Sequence, residues 1–181
     1  DAYRPKKAGG LVALAFACAV DIEALIANLT PQTFGSLVLW DTRSSELDGE
    51  LTLGVGSARI VEASGAGRFD AARDALDAVL EEIGHDRARA FGGFAFEPGP
   101  LGDFAPLGEA RFVIPRWTLT ASSDGRVGGL LIASAEELVE RGRVLLEARA
   151  LDLAASPKGA RRGPRRRSLS LADDGASTFR L

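Results

Sequence analysis

The sequence contains one cysteine, Cys18, and one histidine, His85, a pair of residue types that can act as a nucleophile and its base. Cys18 lies in an apolar run that is typical of a buried strand. His85 follows Gly84, which ends a predicted helix, so a solvent-exposed turn is expected there. Both positions favour structural roles over a Cys–His dyad. A single histidine also excludes a metal site built on two histidines.

Two glycine-rich stretches resemble the start of a dinucleotide-binding loop, which needs a third glycine at a fixed spacing. After Gly54 and Gly56 that third position holds Arg59. After Gly65 and Gly67 it holds Asp70. The sequence also has no Gly-Lys-Ser/Thr phosphate loop. Both stretches are therefore predicted to be turns.

Acidic residues recur along a predicted helix that begins after Ser134. They lack the spacing of a calcium loop, and no cluster of His and Cys has the spacing of a zinc site. They are predicted to form a solvated helix face: Glu136, Glu137, Glu140 and Glu147. The sequence therefore assigns no catalytic, cofactor-binding or metal-binding residue.

Positive charge is concentrated in one segment near the C-terminal end. Six basic residues occur there with no acid among them: Lys158, Arg161, Arg162, Arg165, Arg166 and Arg167. Because the chain has 22 basic and 25 acidic residues, removing these six leaves 16 against 25, a net charge of −9. A basic run can bind nucleic acid or a phosphorylated partner. This one has no interleaved aromatic residues, which favours a solvated linker.

The apolar run from Leu11 to Val20, preceded by Lys6 and Lys7, has two interpretations. A short signal peptide has this order of basic and apolar residues. A buried strand is favoured, because Asp21 can cap an amphipathic helix directly after the run. No run reaches the length that crosses a membrane, and a single cysteine fits a reducing compartment. We expect a cytoplasmic protein with no membrane partner.

About eight strands and three main helices are predicted, joined by short loops without regular strand–helix alternation. Asp124-Gly125 predicts a hairpin. Ser134 and Glu137 form a capping box that predicts a helix from there to about Arg149. This pattern indicates an α+β domain with a mostly antiparallel sheet and outer helices.

The stretch from Arg89 to Phe96 is predicted to be a central strand that is covered on both faces. Its three aromatic residues flank two adjacent glycines, Gly92 and Gly93, with Phe91 on one face of the strand and Phe94 and Phe96 on the other. Glycine inside a strand usually marks a bulge or the close approach of another backbone. The strand is therefore expected to have a close neighbour.

That strand and the segment from Ala110 to Arg116, which follows a polar loop, resemble the N-terminal half of isochorismate synthases. Shorter motifs agree with this family in order and spacing from about Leu11 to Leu153: Leu39-Trp40-Asp41, Leu53 to Ala58, and Gly67-Arg68-Phe69. Gly93-Phe94 stands where anthranilate and aminodeoxychorismate synthases carry Gly-Tyr. This difference favours the isochorismate branch of the chorismate-utilising enzymes.

The resemblance implies one half of an α/β/β/α sandwich of the aminodeoxychorismate-synthase type, in which two antiparallel sheets pack face to face with helices outside. It also implies magnesium-dependent conversion of chorismate to isochorismate for menaquinone or salicylate-derived siderophores. In that family, the water-activating lysine, the acid glutamate and the magnesium-binding glutamates belong to the C-terminal half. Their Lys-Val-Val-Leu-Ala-Arg type motif is absent here, so no catalytic residue carries over and no magnesium is expected on this chain.

The expected organisation is an N-terminal α+β domain over residues 1–155, a basic Pro/Gly/Arg linker over 156–176, and the start of a missing catalytic half over 177–181. The implied partner is that chorismate-binding half, and we expect no activity without it. An uncovered apolar face also predicts self-association. The alternatives are another chorismate-using synthase (anthranilate, aminodeoxychorismate or salicylate type) and a non-catalytic binding or scaffold module. Nucleic-acid binding through Lys158 to Arg167 is the least favoured hypothesis.

Overall fold

The computed structural model describes residues 10–29, 34–43, 49–95, 108–123, 125–155 and 170–171. Its helices are α1 (Ile22–Asn28), α2 (Arg68–Ile83), α3 (Ala135–Glu140) and α4 (Gly142–Ala154). Its strands are β1 (Leu11–Cys18), β2 (Leu37–Asp41), β3 (Leu51–Val55), β4 (Arg59–Ala63), β5 (Phe91–Phe94), β6 (Ala110–Ile114), β7 (Trp117–Ala121), β8 (Val127–Ser134) and β9 (Ser170–Leu171).

The strands form two sheets. The large sheet has the order β2-β3-β7-β8-β1-β9, and the small sheet has the order β4-β6-β5. All pairings among these strands are antiparallel. The predicted α+β class with mostly antiparallel sheets is therefore confirmed.

One face of the large sheet, the helix face, is covered by α1 and α4. Strand side chains alternate between faces, so every second residue of β3 and β7 points to these helices. The apolar cluster on this side contains Leu51, Leu53, Val55, Trp117 and Leu119 from those two strands. Helix α1 adds Ile22 and Leu25, and helix α4 adds Val144, Ala148 and Leu151. This cluster is the larger of the two cores.

The opposite face, the groove face, is only partly covered. Helix α2 packs there through Ile83, which belongs to a second apolar cluster with Leu130 and Ile132 of β8 and Ile114 of β6. The backbone N–H of Leu11 donates to the Glu82 carboxylate on α2 at 2.9 Å. Part of the face is thereby closed, and the remainder forms one side of an open groove.

The two sheets separate at a corner formed by Gly56 and Pro115. Strands β3 and β7 pair in the large sheet, and their continuations β4 and β6 pair in the small sheet. Gly56 has a φ of +66°, which favours glycine, and the ring of Pro115 folds over the sheet. A Cβ on Gly54 would lie 2.7 Å from that ring, so glycine is needed for the close approach. One long antiparallel pair is thus bent into two sheets.

The expectation that Arg89 to Phe96 forms a central, doubly covered strand is wrong for the described part of that stretch. Strand β5 spans only Phe91–Phe94 and lies at the edge of the small sheet, with β6 as its partner. Phe94 is 39% exposed. The close neighbour of Gly92 is the β6 backbone, because a Cβ there would clash with the Arg111 carbonyl and the Phe112 Cα. Among the described residues, apart from its two chain neighbours, none has an atom within 4 Å of a Cβ built on Gly93.

The predicted helix after Ser134 is divided into two. The capping box is present: the Ser134 hydroxyl accepts from the Glu137 N–H at 3.2 Å, and the Glu137 carboxylate accepts from the Ser134 N–H at 3.1 Å. Arg141 has a φ of +56°, a left-handed conformation that ends α3 before α4 begins. The helical spacing of apolar residues continues from α3 into α4, so this spacing cannot show that the helix is interrupted at Arg141.

The turn prediction for Gly65 to Gly67 and the hairpin prediction at Gly125 agree with the structure, whereas the turn prediction for Gly54 to Gly56 is wrong at Gly54, which belongs to β3. Gly65 and Gly125 have positive φ angles, and Gly125 lies in the connection between β7 and β8, which pair as a hairpin. Its neighbour Asp124 lies outside the described residues. Two residues of the 156–176 segment form β9, which pairs with Ala17 and Phe16 of β1. The rest of that segment, including Lys158 to Arg167, is outside the described ranges.

Candidate functional site

A groove of about 1620 Å³ lies between the uncovered part of the large sheet and the segment that leads into β5. Strands β1, β2, β3, β7 and β8 form its floor. Arg87, Arg89, Ala90, Phe91 and Gly92 form its opposite wall. The groove exists because the bend at Gly56 and Pro115 keeps the two sheets apart on this side.

One row of residues crosses the floor at right angles to the strands. Directly opposed residues of antiparallel strands share a face, so the pairings define the row. They are Trp40 with Thr52, Thr52 with Thr120, Thr120 with Gly128, and Gly128 with Ala17. All five residues line the groove. The Thr52 and Thr120 hydroxyls lie 3.4 Å apart at the centre of the row.

The side chain of Arg87 lies over Gly128, near one end of this row. A Cβ built on Gly128 would lie 2.8 Å from its Nη2 and 3.3 Å from its Nη1, so the guanidinium lies directly against the strand. The Arg87 backbone N–H donates to His85 Nδ1 at 3.1 Å. Within the described ranges, the structure gives the guanidinium no carboxylate or carbonyl partner. Its donors are therefore available to the groove.

The described residues at the rim of the groove are polar. Glu50, Ser122 and Arg126 line it at the ends of their strands. Arg89 is less available than Arg87, because its Nη1 donates to the backbone carbonyls of Asp86 and Ala88 at 2.5 and 3.0 Å. Among the described lining residues are three arginines and one glutamate, although the chain as a whole is acidic.

Cys18 and His85, the two reactive residue types of the sequence, have separate partners. Cys18 is partly exposed at the groove, and its Sγ lies 3.8 Å from the Val127 carbonyl oxygen. Burial raises the pKa of its thiol more than a backbone hydrogen bond from Val20 lowers it. A raised pKa keeps the thiol protonated and weakly nucleophilic. His85 accepts from the Arg87 N–H and lies 3.3 Å from the exposed Asp86 carboxylate.

A charged cluster on the helix face was not predicted from the sequence. Arg116, whose side chain is 7% exposed, donates through Nε to Glu147 at 2.6 Å and through Nη1 to Glu137 at 2.9 Å. The Trp117 indole N–H also donates to Glu147, at 2.9 Å. The prediction that Glu137 and Glu147 belong to a solvated face is therefore wrong. The sequence contains one signal for this cluster. Arg116 lies between two apolar strands, and an arginine that is buried there needs a partner.

Opposing effects set the protonation of these two acids. Burial, the largest single effect, raises the pKa of both carboxyl groups, but the hydrogen bonds from Arg116 and from other neighbours, together with the nearby positive charge, lower it further, so each pKa is below its ordinary value. Both acids are therefore ionised at neutral pH. The cluster connects the β6–β7 corner to α3 and α4, and Arg116 Nη2 is buried without a hydrogen-bond partner.

A second buried arginine, Arg68, begins helix α2. Its guanidinium donates to the carbonyls of Gly65 and Ala95 at 3.3 and 3.2 Å and lies 4.5 Å from the centre of the Phe69 ring. Its Nε is buried without a partner. The side chain holds the turn before α2 against the end of β5, which is a structural role.

Asp41, the acid of the Leu39-Trp40-Asp41 motif, is held by a neighbouring arginine. Arg43 donates to its carboxylate through Nε at 3.0 Å and through Nη2 at 2.8 Å. These hydrogen bonds lower the pKa of Asp41 to about 2. Arg43 also pairs with Glu23 at the start of α1, at 2.8 Å. The acid thus takes part in a surface contact between β2 and α1.

The part of the chain that the structure describes has no group of three or more His, Cys, Asp or Glu side chains placed to hold a metal ion. The magnesium expectation, which concerns the catalytic half of the resembled family, stays a prediction. No helix among the described residues is both long and apolar enough to cross a membrane.

Comparison with protein-family models, with curated proteins and with solved structures finds no match to this chain. A functional conclusion therefore depends on the sequence motifs and on the geometry described above.

Proposed function

We propose that this chain is the N-terminal structural half of an isochorismate-synthase-like enzyme of the cytoplasm. The order and spacing of the motifs carry the proposal. The two longest, around Gly93 and around Arg111, lie on the adjacent strands β5 and β6, where these two residues are paired. In this proposal the chain supplies strands and outer helices, and the chemistry belongs to a C-terminal half.

Unpaired strand edges support the need for such a partner. Among the described strands, β2 ends the large sheet and β5 ends the small sheet. Leu39 on β2 is 52% exposed, and Phe94 on β5 contacts Phe69, which is 50% exposed. Exposed apolar edges tend to pair with further strands. We infer that strands of the catalytic half extend one or both sheets, and that isolated chains self-associate through the same edges.

Enzyme assays test the proposal directly. The purified chain should form no isochorismate from chorismate and Mg²⁺. Chromatography of the reaction products measures this. Activity should appear when the catalytic half of a menaquinone-type isochorismate synthase is co-expressed with it. Turnover by the 181-residue chain alone would contradict the division of roles that we propose.

An edge variant identifies the surface involved. Phe94→Asp places a charge on the β5 edge and should abolish both co-purification with the catalytic half and self-association. Leu146→Asp is the matched control, because Leu146 is also an exposed apolar residue (71%) but lies on α4. A wild-type chain that elutes as a strict monomer at high concentration would contradict the predicted self-association.

A non-catalytic binding module is the second candidate, favoured by the open, basic groove. The codons that follow Leu181 in the gene separate the two hypotheses. An in-frame segment with a Lys-Val-Val-Leu-Ala-Arg type motif supports the synthase half. A stop codon with no adjacent chorismate-binding segment supports the module.

A further inference from the structure

We propose that the groove binds a small organic carboxylate with a flat apolar body, with Arg87 as the carboxylate-binding residue. This inference uses only residues of this chain and does not depend on the proposed synthase function. It follows from the position of one guanidinium, two hydroxyl groups and one exposed indole along a single row of the sheet.

The guanidinium of Arg87 is positioned for a carboxylate. It lies against Gly128, where the absence of a side chain leaves room for it. No group among the described residues accepts from its N–H donors. A planar guanidinium can donate two parallel hydrogen bonds to one carboxylate, and such charge-assisted bonds are stronger than neutral ones. The carboxylate would therefore bind at the Gly128 end of the row.

The centre of the row provides further polar contacts. Thr120 is directly opposite Gly128, and Thr52 is directly opposite Thr120. Their hydroxyls, 3.4 Å apart, can each donate to an oxygen of the ligand or accept from its hydroxyl group. A substituent next to the carboxylate would contact these threonines.

The far end of the row fits an apolar ring. Trp40 is 60% exposed although it is one of the largest apolar side chains of the molecule, and it lines the groove. Three strand spacings separate it from Gly128, which is roughly 14 Å at about 4.8 Å per strand. Phe91 lines the opposite wall. A flat ring can stack between or against these aromatic side chains.

The charge of the rim favours a singly or doubly charged ligand over a polyanion. Glu50 is one of the described lining residues and would repel a chain of phosphates. A volume of about 1620 Å³ exceeds the roughly 300–1,000 Å³ typical of small-molecule sites, so the ligand would fill only the part along the row.

Binding of 2-naphthoate to the full 181-residue chain tests this site. The chain has two tryptophans, so its NMR spectrum has two indole N–H signals, and a Trp40→Phe variant assigns them. We expect 2-naphthoate to shift the Trp40 signal and to leave the signal of the buried Trp117 in place. Titration calorimetry should give a submillimolar dissociation constant.

Variants and a neutral analogue identify the interaction. Arg87→Gln should weaken 2-naphthoate binding at least about tenfold, because a hydrogen bond to a charged group is lost. Arg73→Gln, which changes another exposed arginine, on α2, should leave the affinity unchanged. The neutral 2-naphthamide should bind at least about tenfold more weakly than 2-naphthoate. Thermal unfolding confirms that each variant is folded.

Three results would overturn the proposal. The first is equal affinity of the wild type and Arg87→Gln for 2-naphthoate. The second is equal affinity of the wild type for 2-naphthoate and 2-naphthamide, which would indicate apolar contact alone. The third is Arg87-dependent binding of a hexaglutamate peptide with no binding of 2-naphthoate, which would assign the groove to an acidic protein segment.

Discussion

The two faces of the large sheet are built from alternate residues of the same strands, yet their properties are opposite. On β3, Leu51 and Leu53 point to the helix face and are almost fully buried, whereas Thr52 points to the groove. On β7, Leu119 and Thr120 show the same division. The helix face is closed by α1 and α4, and the groove face is left open by the bend at Gly56. Because side chains of one strand alternate between the two faces, residues that stabilise the core and residues that can contact a ligand are neighbours in the same strand.

The arginines of the two faces show the same contrast. Arg116 is buried and contacts two carboxylates, so its charge is neutralised within the protein. Arg87 is exposed, and no acid among the described residues contacts its guanidinium. A buried unpaired charge is costly, so the first arginine requires its partners, whereas the second can keep its donors for a ligand. Burial, and not residue type, distinguishes a structural arginine from a candidate binding arginine.

The largest expected difference between the faces comes from adjacent residues of β3. Leu53→Ala should lower the free energy of unfolding by about 2–5 kcal/mol, because it leaves a cavity in the larger core. Thr52→Ala should lower it by less than about 1 kcal/mol, because Thr52 borders the groove. Urea denaturation measures both. Similar losses for the two variants would contradict the division into a closed and an open face.

Arg116→Ala should have the next largest effect. Its removal leaves Glu137 and Glu147 without their buried counter-charge and should lower the free energy of unfolding by about 3 kcal/mol. This is the lower end of the range for broken buried ion pairs, because both acids are partly exposed. Arg143→Ala is the control. Arg143 contacts the same two acids but is 71% exposed, so its loss should cost less than about 1 kcal/mol. Urea denaturation of both variants measures the difference, and equal losses would refute it.

The two adjacent glycines of β8 allow a sharper comparison. A Cβ on Gly129 would lie 2.1 Å from the Phe16 ring on the helix face, so Gly129→Ala should destabilise the protein by about 1–3 kcal/mol. The three atoms nearest to a Cβ on Gly128 belong to the guanidinium of Arg87, the end of a long side chain that can shift, so Gly128→Ala should lower the melting temperature much less. It should nevertheless weaken 2-naphthoate binding, because the guanidinium must move. Unchanged binding in a folded Gly128→Ala protein would contradict the assigned position of Arg87.

The smallest expected effect is the contribution of Glu137 and Glu147 to the pH dependence of the free energy of unfolding. Because their pKa values are lowered in the folded protein, they stabilise it above the unfolded-state value of roughly 4.3, and this contribution is lost as the pH falls through the folded-state values. A Glu137→Gln/Glu147→Gln variant should show a shallower decline of the urea midpoint between about pH 5 and 2. A decline as steep as in the wild type would show that other carboxyl groups dominate acid unfolding.

Local sequence signals predicted the elements because they depend on residues close in the chain. Asp21 caps α1, Ser134 and Glu137 form the capping box of α3, and Gly84 ends α2 in a left-handed conformation, each as the residue types indicate. The prediction that the aromatic stretch around Gly92 is a central strand is wrong, because β5 lies at a sheet edge. Strand periodicity identifies two faces but contains no information on which neighbouring strands are present.

The amino-acid sequence by itself determined the α+β class, the hairpin at Gly125 and the apolar alternation that fills the helix face. Those features follow from propensity, capping and the period of the side chains. Only the tertiary structure decided that Arg116 meets Glu137 and Glu147, and that Arg87 lies against Gly128 in a row with Thr120. These contacts join residues 21 to 41 positions apart in the chain. They depend on how the bend at Gly56 and Pro115 orients the sheets, which no local pattern specifies.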